Sequence, residues 1–563
     1  MKARLQNKKR SIGKTTSAVP PLRRREMILL GLCTLLLCGI YLWKAYNMDD
    51  PLVVWTAQRI AAHPADFYGF DVNWYGYSAP VAKIDMNPPG AAYYVAAFGA
   101  LFGWREPALH VAVALIAAAF VLGVYRLARQ MGGNPLLAAG VALVSPGVLV
   151  SMGTVMTDLL MTALWVWALV LWLRGLEDER PAANILSAFL IGLAVLTKYF
   201  AFSLVPLLLA YTFLSGRRRW VRAVWLTIPA VFLVLFDWYT QRLYGMGLIR
   251  GLLRLTVQYH EAVTIHVGRK LLTGLTFLGA GGAPALFFAP WLWRRTGRMA
   301  LCLGGAAMAI IMVVLARSGW QVGEPQVSFP WWFWPQYGLW LLAGLHVIAL
   351  ALVEAWSRRD RDAMLLGLWL CGTLFYEVFV YHFVNIRVVL PALPIVALLC
   401  ARRLCAESES VAPALPRPAW LAMAAGLVLC LCVAHADIRL ANSARDAAAR
   451  IAPEKRSGRT WFSGHWGFQY YMQERGAKPI DLKHLDFRLG DTVVTPANAS
   501  NRLPARPRVA SRNEGFELPV CSWLTTMRAE CGAGFYADLW GPLPFVFGPV
   551  PNEQYEVTVI GAR

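Results

Sequence analysis

Long apolar runs alternate with short polar or basic breaks along most of this chain, and the runs at residues 27–43, 271–293, 335–355 and 420–434 set the pattern. Several approach the roughly 20 apolar residues a helix needs to cross about 30 Å of hydrocarbon, so they predict membrane spans. Arg and Lys gather in the breaks, at Arg126/Arg129, Arg174/Arg180, Arg217–Arg222, Arg294–Arg298, Arg358–Arg361 and Arg402/Arg403. Basic loops stay on the cytoplasmic side, so two crossings between successive clusters predict about thirteen helices. Residues 183–215 carry basic clusters on both flanks. They are expected to cross twice, turning at Lys198 on the outer side.

The resulting fold is an α-helical polytopic membrane protein with a small α/β domain at the carboxyl end. Residues 1–26 read as a cytoplasmic basic tail, 27–435 as the transmembrane domain with outer loops 47–107 and 237–270, and 436–563 as a periplasmic domain. Within that last region, residues 555–560 have the alternation of a strand and residues 461–471 are rich in aromatics. No repeat at a period of 20 to 50 residues points to a solenoid. The run at 27–43 ends in bulky Trp43, Lys44 and Tyr46 and offers no small-residue cleavage site, so a retained anchor is expected.

Composition agrees with a lipid solvent: 57% of the 563 residues are hydrophobic and 15% are charged. The formal charge of +21 is dispersed in clusters that report topology, which argues against a nucleic-acid partner. Most of the ten cysteines lie in apolar runs; only Cys521 and Cys531 lie together in the polar tail, and a disulfide between them is expected if that compartment is oxidising.

Ionisable residues inside or beside apolar spans are costly unless they serve a site. Asp49 and Asp50 follow the first span, Asp158 stands where one span gives way to the next, and Lys198 and Arg387 reach the same outer boundary. Either member of the Asp49–Asp50 pair could instead cap the helix predicted over 53–62, and Asp158 could cap the one after it. Carboxylates there could take a proton from a hydroxyl, with the cations holding a phosphate, a division of labour suited to group transfer from a lipid phosphate. The outer loop 237–270 breaks the charge rule with Arg242, Arg250, Arg254, Arg269 and Lys270; either a local anion or interfacial anchoring would account for it. His63, His260, His266, His382 and His465, with Glu261 and Glu377, show no metal-ligand spacing. No cofactor is read, and a divalent metal stays open. The run Trp331–Trp334 reads as an aromatic belt.

Asp49-Asp50, Asn87-Pro88-Pro89-Gly90, Leu101-Phe102-Gly103, Met156-Thr157-Asp158 and Gly192 to Lys198 together resemble the GT-C glycosyltransferases, over roughly residues 27–215. Within these the pattern is similar to bacterial protein O-mannosyltransferases and lipid A aminoarabinose transferases, and Arg387 to Pro394 resembles the entry to a late span in the same enzymes. Two departures stand out: the pair is Asp-Asp where Asp-Glu is usual, and Asn87 precedes the prolines where relatives have His or Lys. The resemblance implies an inverting transfer of a sugar from a polyprenyl-phosphate donor to a hydroxyl of a lipid, glycan or protein acceptor at the periplasmic face of a bacterial inner membrane. It implies Asp49 as base, Asp158 orienting the site or sharing the acidic role, Asp50 as the other catalytic carboxylate of the pair, and Lys198, Arg254, Arg387 and Asn87 binding substrate. A transporter or flippase of a lipid-linked sugar, or an assembly subunit, are the competing classes.

Overall fold

The computed structural model describes residues 24–262, 266–318, 328–406, 417–499 and 510–561. The basic residues before Arg24, which carry the predicted orientation of the amino terminus, lie outside the described residues. Among these, eight helices are long and apolar enough to cross a membrane, and nine if Val267–Gly281 and Pro284–Leu292 form one broken span. Shorter apolar helices at Gly90–Phe102, Pro181–Val195 and Tyr199–Leu214 join them. The run at 27–43 forms a helix only over Arg24–Cys38, followed by a 3-10 turn at Gly39–Tyr41. Among the described residues, spans of full length therefore number eight or nine, and the thirteen expected are not confirmed.

The run at 271–293 is not one straight helix. It bends by 80° between Gly281 and Pro284, where two glycines meet a proline that cannot donate to the preceding turn. Its first half packs on Phe333–Arg358 at a contact made of glycines: a side chain at Gly344 would run into the Leu275 carbonyl, and one at Gly279 into that of Trp340. Small residues let helix backbones approach in lipid, where burial of apolar surface gives no drive.

The expected reversal at Lys198 can be read from its contacts. Arg361 donates to Ser215 (3.4 Å) and Glu177 (2.9 Å), and Arg222 donates to the Glu179 carbonyl (3.2 Å), so both flanks of 181–215 share one end of the bundle. Lys198 meets Asp158 at the other end of the helix Asp158–Glu177. The helix breaks there because Lys198 is extended, with φ −158° and ψ 128°.

The last long helix, Arg417–Ile451, runs well past the predicted exit at residue 435 and carries the chain into the carboxyl-terminal region. A mixed five-stranded sheet follows, ordered Lys478–Pro479, Thr460–Phe462, Thr492–Pro496, Glu553–Ile560, Ala510–Leu518. The first three strands are parallel, with the helix Trp466–Glu474 between Thr460–Phe462 and Lys478–Pro479, and the last two pair antiparallel. Glu553–Ile560 alternates buried and exposed residues along most of its length, as a sheet packed on one face requires. The predicted Cys521–Cys531 disulfide is absent: both thiols are free and buried, and Cys531 Sγ is turned to the Pro549 carbonyl at 3.8 Å. Two lone cysteines near in sequence meet only if the backbone brings their Cβ atoms within about 4 Å, and sequence alone does not fix that.

Candidate functional site

The acidic pair opens the helix Asp50–Ala62, directly after Met48, a non-glycine residue at φ 47°. Consecutive residues at a helix start point about 100° apart, so the two carboxylates part company. Asp50 is wholly buried and accepts from the backbone N–H of Asn47 (2.9 Å) and of Val155 (2.7 Å), which staples the first loop to the 152–157 turn. Burial pushes its carboxyl up to about 7, against the opposing pull of Lys44 and the two N–H groups. Asp49 occupies the N-cap position but makes no capping bond. Instead its carboxylate, 36% exposed, pairs with Arg387 Nη1 at 2.6 Å.

Lys198 forms the second ion pair, with Asp158 at 2.5 Å, and its ammonium lies 5.6 Å from the centre of the Tyr381 ring. Arg387 also approaches Met156 Sδ at 3.2 Å, so the two pairs are neighbours through the Met156-Thr157-Asp158 segment. The structure thus brings Asp49, Asp50, Asp158, Lys198 and Arg387 together from distant parts of the chain. It also shows why the Pro-Pro-Gly and Leu-Thr-Lys segments belong together. Gly90 N–H donates to the Leu196 carbonyl at 2.8 Å, and any side chain at Gly90 would strike that carbonyl and Thr197.

Two predicted substrate-binding residues form no ion pair or hydrogen bond with the four side chains of these ion pairs among the described residues. The Asn87 side chain is spent on Asp85, to which its amide donates at 2.9 Å. Arg254 is exposed on the helix Leu248–Ala262, and no ion pair among the described residues joins it to the cluster. Of the histidines considered as ligands, His465 comes near: it is buried against Trp74 (ring centres 4.6 Å apart), and burial holds it down at about 4 although Asp49 pulls the other way. Among the described residues no group of three or more His, Cys, Asp or Glu is placed to hold a metal ion. The side chains of His260 and Glu261 lie outside the described residues.

Sequence reasoning overlooked Asp85, whose carboxyl burial pushes up in company with Asp49, while Asn87 and Arg387 pull it down. It also overlooked Tyr381 and a buried pair, Lys44 with Asp437 at 2.6 Å. Lys44 Nζ donates further to the Gly153 carbonyl (2.8 Å), and the Asp437 carboxylate accepts from Thr526 Oγ1 and Tyr536 OH, both at 3.0 Å. Phe535 in turn accepts from Ile386 N–H (3.0 Å), next to Arg387, so the carboxyl-terminal region braces both arms of the site. The charges of Lys44 and Asp437 beside or within apolar segments were the available signal.

Residues 86–239 match the family model for dolichyl-phosphate-mannose-protein mannosyltransferases. The resemblance read from the motifs is borne out over that stretch, which holds Asn87, Asp158 and Lys198 and excludes Asp49, Arg254 and Arg387. No curated protein matches the chain. Among solved structures, the chain is similar to the Archaeoglobus fulgidus oligosaccharyltransferase tethered with an acceptor peptide, at 14% identity and TM-score 0.47, over 81% of this chain and 64% of that one. The chain thus spans less than two thirds of that enzyme's length. It is also similar to ArnT from Cupriavidus metallidurans bound to undecaprenyl phosphate, at 14% identity and TM-score 0.43, over 84% of this chain and 93% of that one.

Proposed function

We propose that the protein is an inverting glycosyltransferase that moves a sugar from a polyprenyl-phosphate donor to an acceptor hydroxyl, with Asp49 as the base. The observation that carries this reading is the Asp49–Arg387 pair: a carboxylate that caps nothing, stays partly exposed, and pairs with a cation that touches Met156, two residues before the Asp158 of the Lys198–Asp158 pair. The match of residues 86–239 to a lipid-phosphate mannosyltransferase model supports the donor class.

In this mechanism the donor phosphate draws Arg387 away from Asp49, which frees Asp49 to accept a proton, while Lys198 keeps its buried pairing with Asp158 and adds its charge at the phosphate. The acceptor oxygen attacks the anomeric carbon and its proton passes to Asp49. The bond from that carbon to the phosphate oxygen breaks, and the lipid phosphate leaves with the electron pair, its charge held by the two cations. Asp158 keeps Lys198 in place between turnovers, and buried Asp50 fixes the loop that carries Asp49. Residues 47–107, 237–270 and 436–563 then lie on the periplasmic side of a bacterial inner membrane, with residues 1–26 in the cytoplasm; reporter fusions at both termini test that orientation.

Asp49→Asn keeps the shape and removes the basicity. It is expected to leave the melting temperature of the purified protein unchanged and to lower transfer from radiolabelled polyprenyl-phosphate sugars by about 10² to 10⁴. Transfer at the wild-type rate would move the base to another carboxylate.

A further inference from the structure

The first polar loop carries a small antiparallel hairpin, Asp71–Asn73 with Ser78–Pro80, whose tip is Trp74-Tyr75-Gly76-Tyr77. Gly76 takes φ +83°, which lets the chain turn. An isolated two-stranded hairpin is barely stable in water, so something must hold this one. The carboxyl-terminal region does. Gln469 Nε2 donates to the Asn73 carbonyl and Asn73 Nδ2 to that of Ile480, both at 2.9 Å, and Leu482 N–H donates to the Gly76 carbonyl at 2.8 Å. Trp74 is buried against His465, and the Lys483 ammonium lies 4.0 Å from the centre of the Tyr77 ring.

Tyr75 is treated differently from both neighbours. Within the turn Trp74 is buried while Tyr75 faces out, and 51% of it is exposed. Burial foremost, and then Asp49, Asp85 and Tyr381, push its hydroxyl up to about 12. A ring held on a braced backbone, with carboxylates beside it, offers one apolar face and a set of hydrogen-bond acceptors. An acyl chain has no use for the acceptors, and a phosphate is drawn to the Arg387 and Lys198 cations rather than to this ring. A pyranose satisfies both, with C–H bonds on its face and hydroxyls around its edge.

We propose that Tyr75 determines acceptor specificity: the acceptor offers its hydroxyl from a sugar ring that lies on Tyr75, with Asp49 and Asp85 accepting its hydroxyl hydrogens. The acceptor class is then a glycan. This rests on the reading of Asp49 as the base, so the test measures donor-lipid binding separately.

The full chain in nanodiscs is mixed in turn with methyl mannoside, maltotriose, chitotriose and a Ser/Thr-containing peptide, and saturation-transfer NMR reports which ring protons touch protein. At least one sugar is expected to give a saturable signal, weakened about tenfold by Tyr75→Ala and kept by Tyr75→Trp, since a stacking contact is worth roughly a factor of ten. Undecaprenyl phosphate binding is followed in the same samples and should not change between the three proteins. Equal sugar binding in Tyr75→Ala, or binding of the peptide alone, overturns the proposal. No sugar signal from a protein that still binds undecaprenyl phosphate overturns it too and spares the donor reading. Sugar binding through Tyr75 in a protein that does not bind undecaprenyl phosphate sinks the donor reading and leaves the Tyr75 site standing.

Discussion

Two ion pairs, Lys44–Asp437 and Arg387–Asp49, have the same contact distance, 2.6 Å, and opposite surroundings. Lys44–Asp437 is sealed, with both side chains 0% exposed, whereas Arg387–Asp49 is open, at 18% and 36%. A sealed pair has surrendered its hydration and can release neither partner cheaply, so it serves as a brace. An open pair can exchange its carboxylate for an incoming phosphate, so it can serve as a site. Contact distance alone would not have separated them; burial does.

The largest effect should come from breaking the brace. Asp437→Leu strands the Lys44 ammonium and is expected to cost about 3–5 kcal/mol of stability, with much of it recovered in the double variant Lys44→Met/Asp437→Leu. Thermal unfolding of the purified proteins measures both, and a double variant no better than the single would show that Asp437 acts through Thr526 and Tyr536 rather than through the charge.

Asp50 sharpens the comparison as a sealed carboxylate without a close cation. Its folded value of about 7 lies above the ordinary value of 3.8, so the folded state holds the proton more tightly than the unfolded one. Its contribution is therefore favourable at low pH and is lost as pH rises from about 4 to 7, by an amount on the order of a few kcal/mol. Stability of wild type and Asp50→Asn compared across that window should differ in slope, the variant lacking the fall; parallel curves would mean that Asp50 does not titrate there.

Lys198→Ala is expected to weaken undecaprenyl phosphate binding by about 1.5–3 kcal/mol, the range of a charged hydrogen bond, and, because its pair with Asp158 is nearly sealed at 9% and 4%, to cost stability as well. Calorimetric titration in detergent decides it. The smallest effect belongs to Arg174–Asp178, a helix pair at 3.2 Å with both side chains about half exposed. Arg174→Ala should cost less than about 0.5 kcal/mol.

The legible parts of the site share one property. Asp49, Asp158, Lys198 and Arg387 stand beside apolar runs, where a charge is costly enough to be noticed. Asp85 and Tyr75 lie in a polar loop, where such residues cost little and carry no flag. Arg254 drew attention by breaking the charge rule, yet it stays on an exposed helix face, because the rule reports the side of the membrane and not the distance to a site.

The sequence by itself determined a helical membrane protein, the turn at Lys198 and a strand-containing tail, because hydropathy and charge act over spans of twenty residues without regard to partners. Only the tertiary structure decided that Asp49 opens toward Arg387 while its neighbour Asp50 is walled in, that Gly90 presses on Leu196, that Cys521 and Cys531 stay apart, and that the tail grips the Tyr75 hairpin. Each of those depends on the angle at which two segments meet, and an angle between distant segments is set by packing across the whole bundle rather than by any local run of residues.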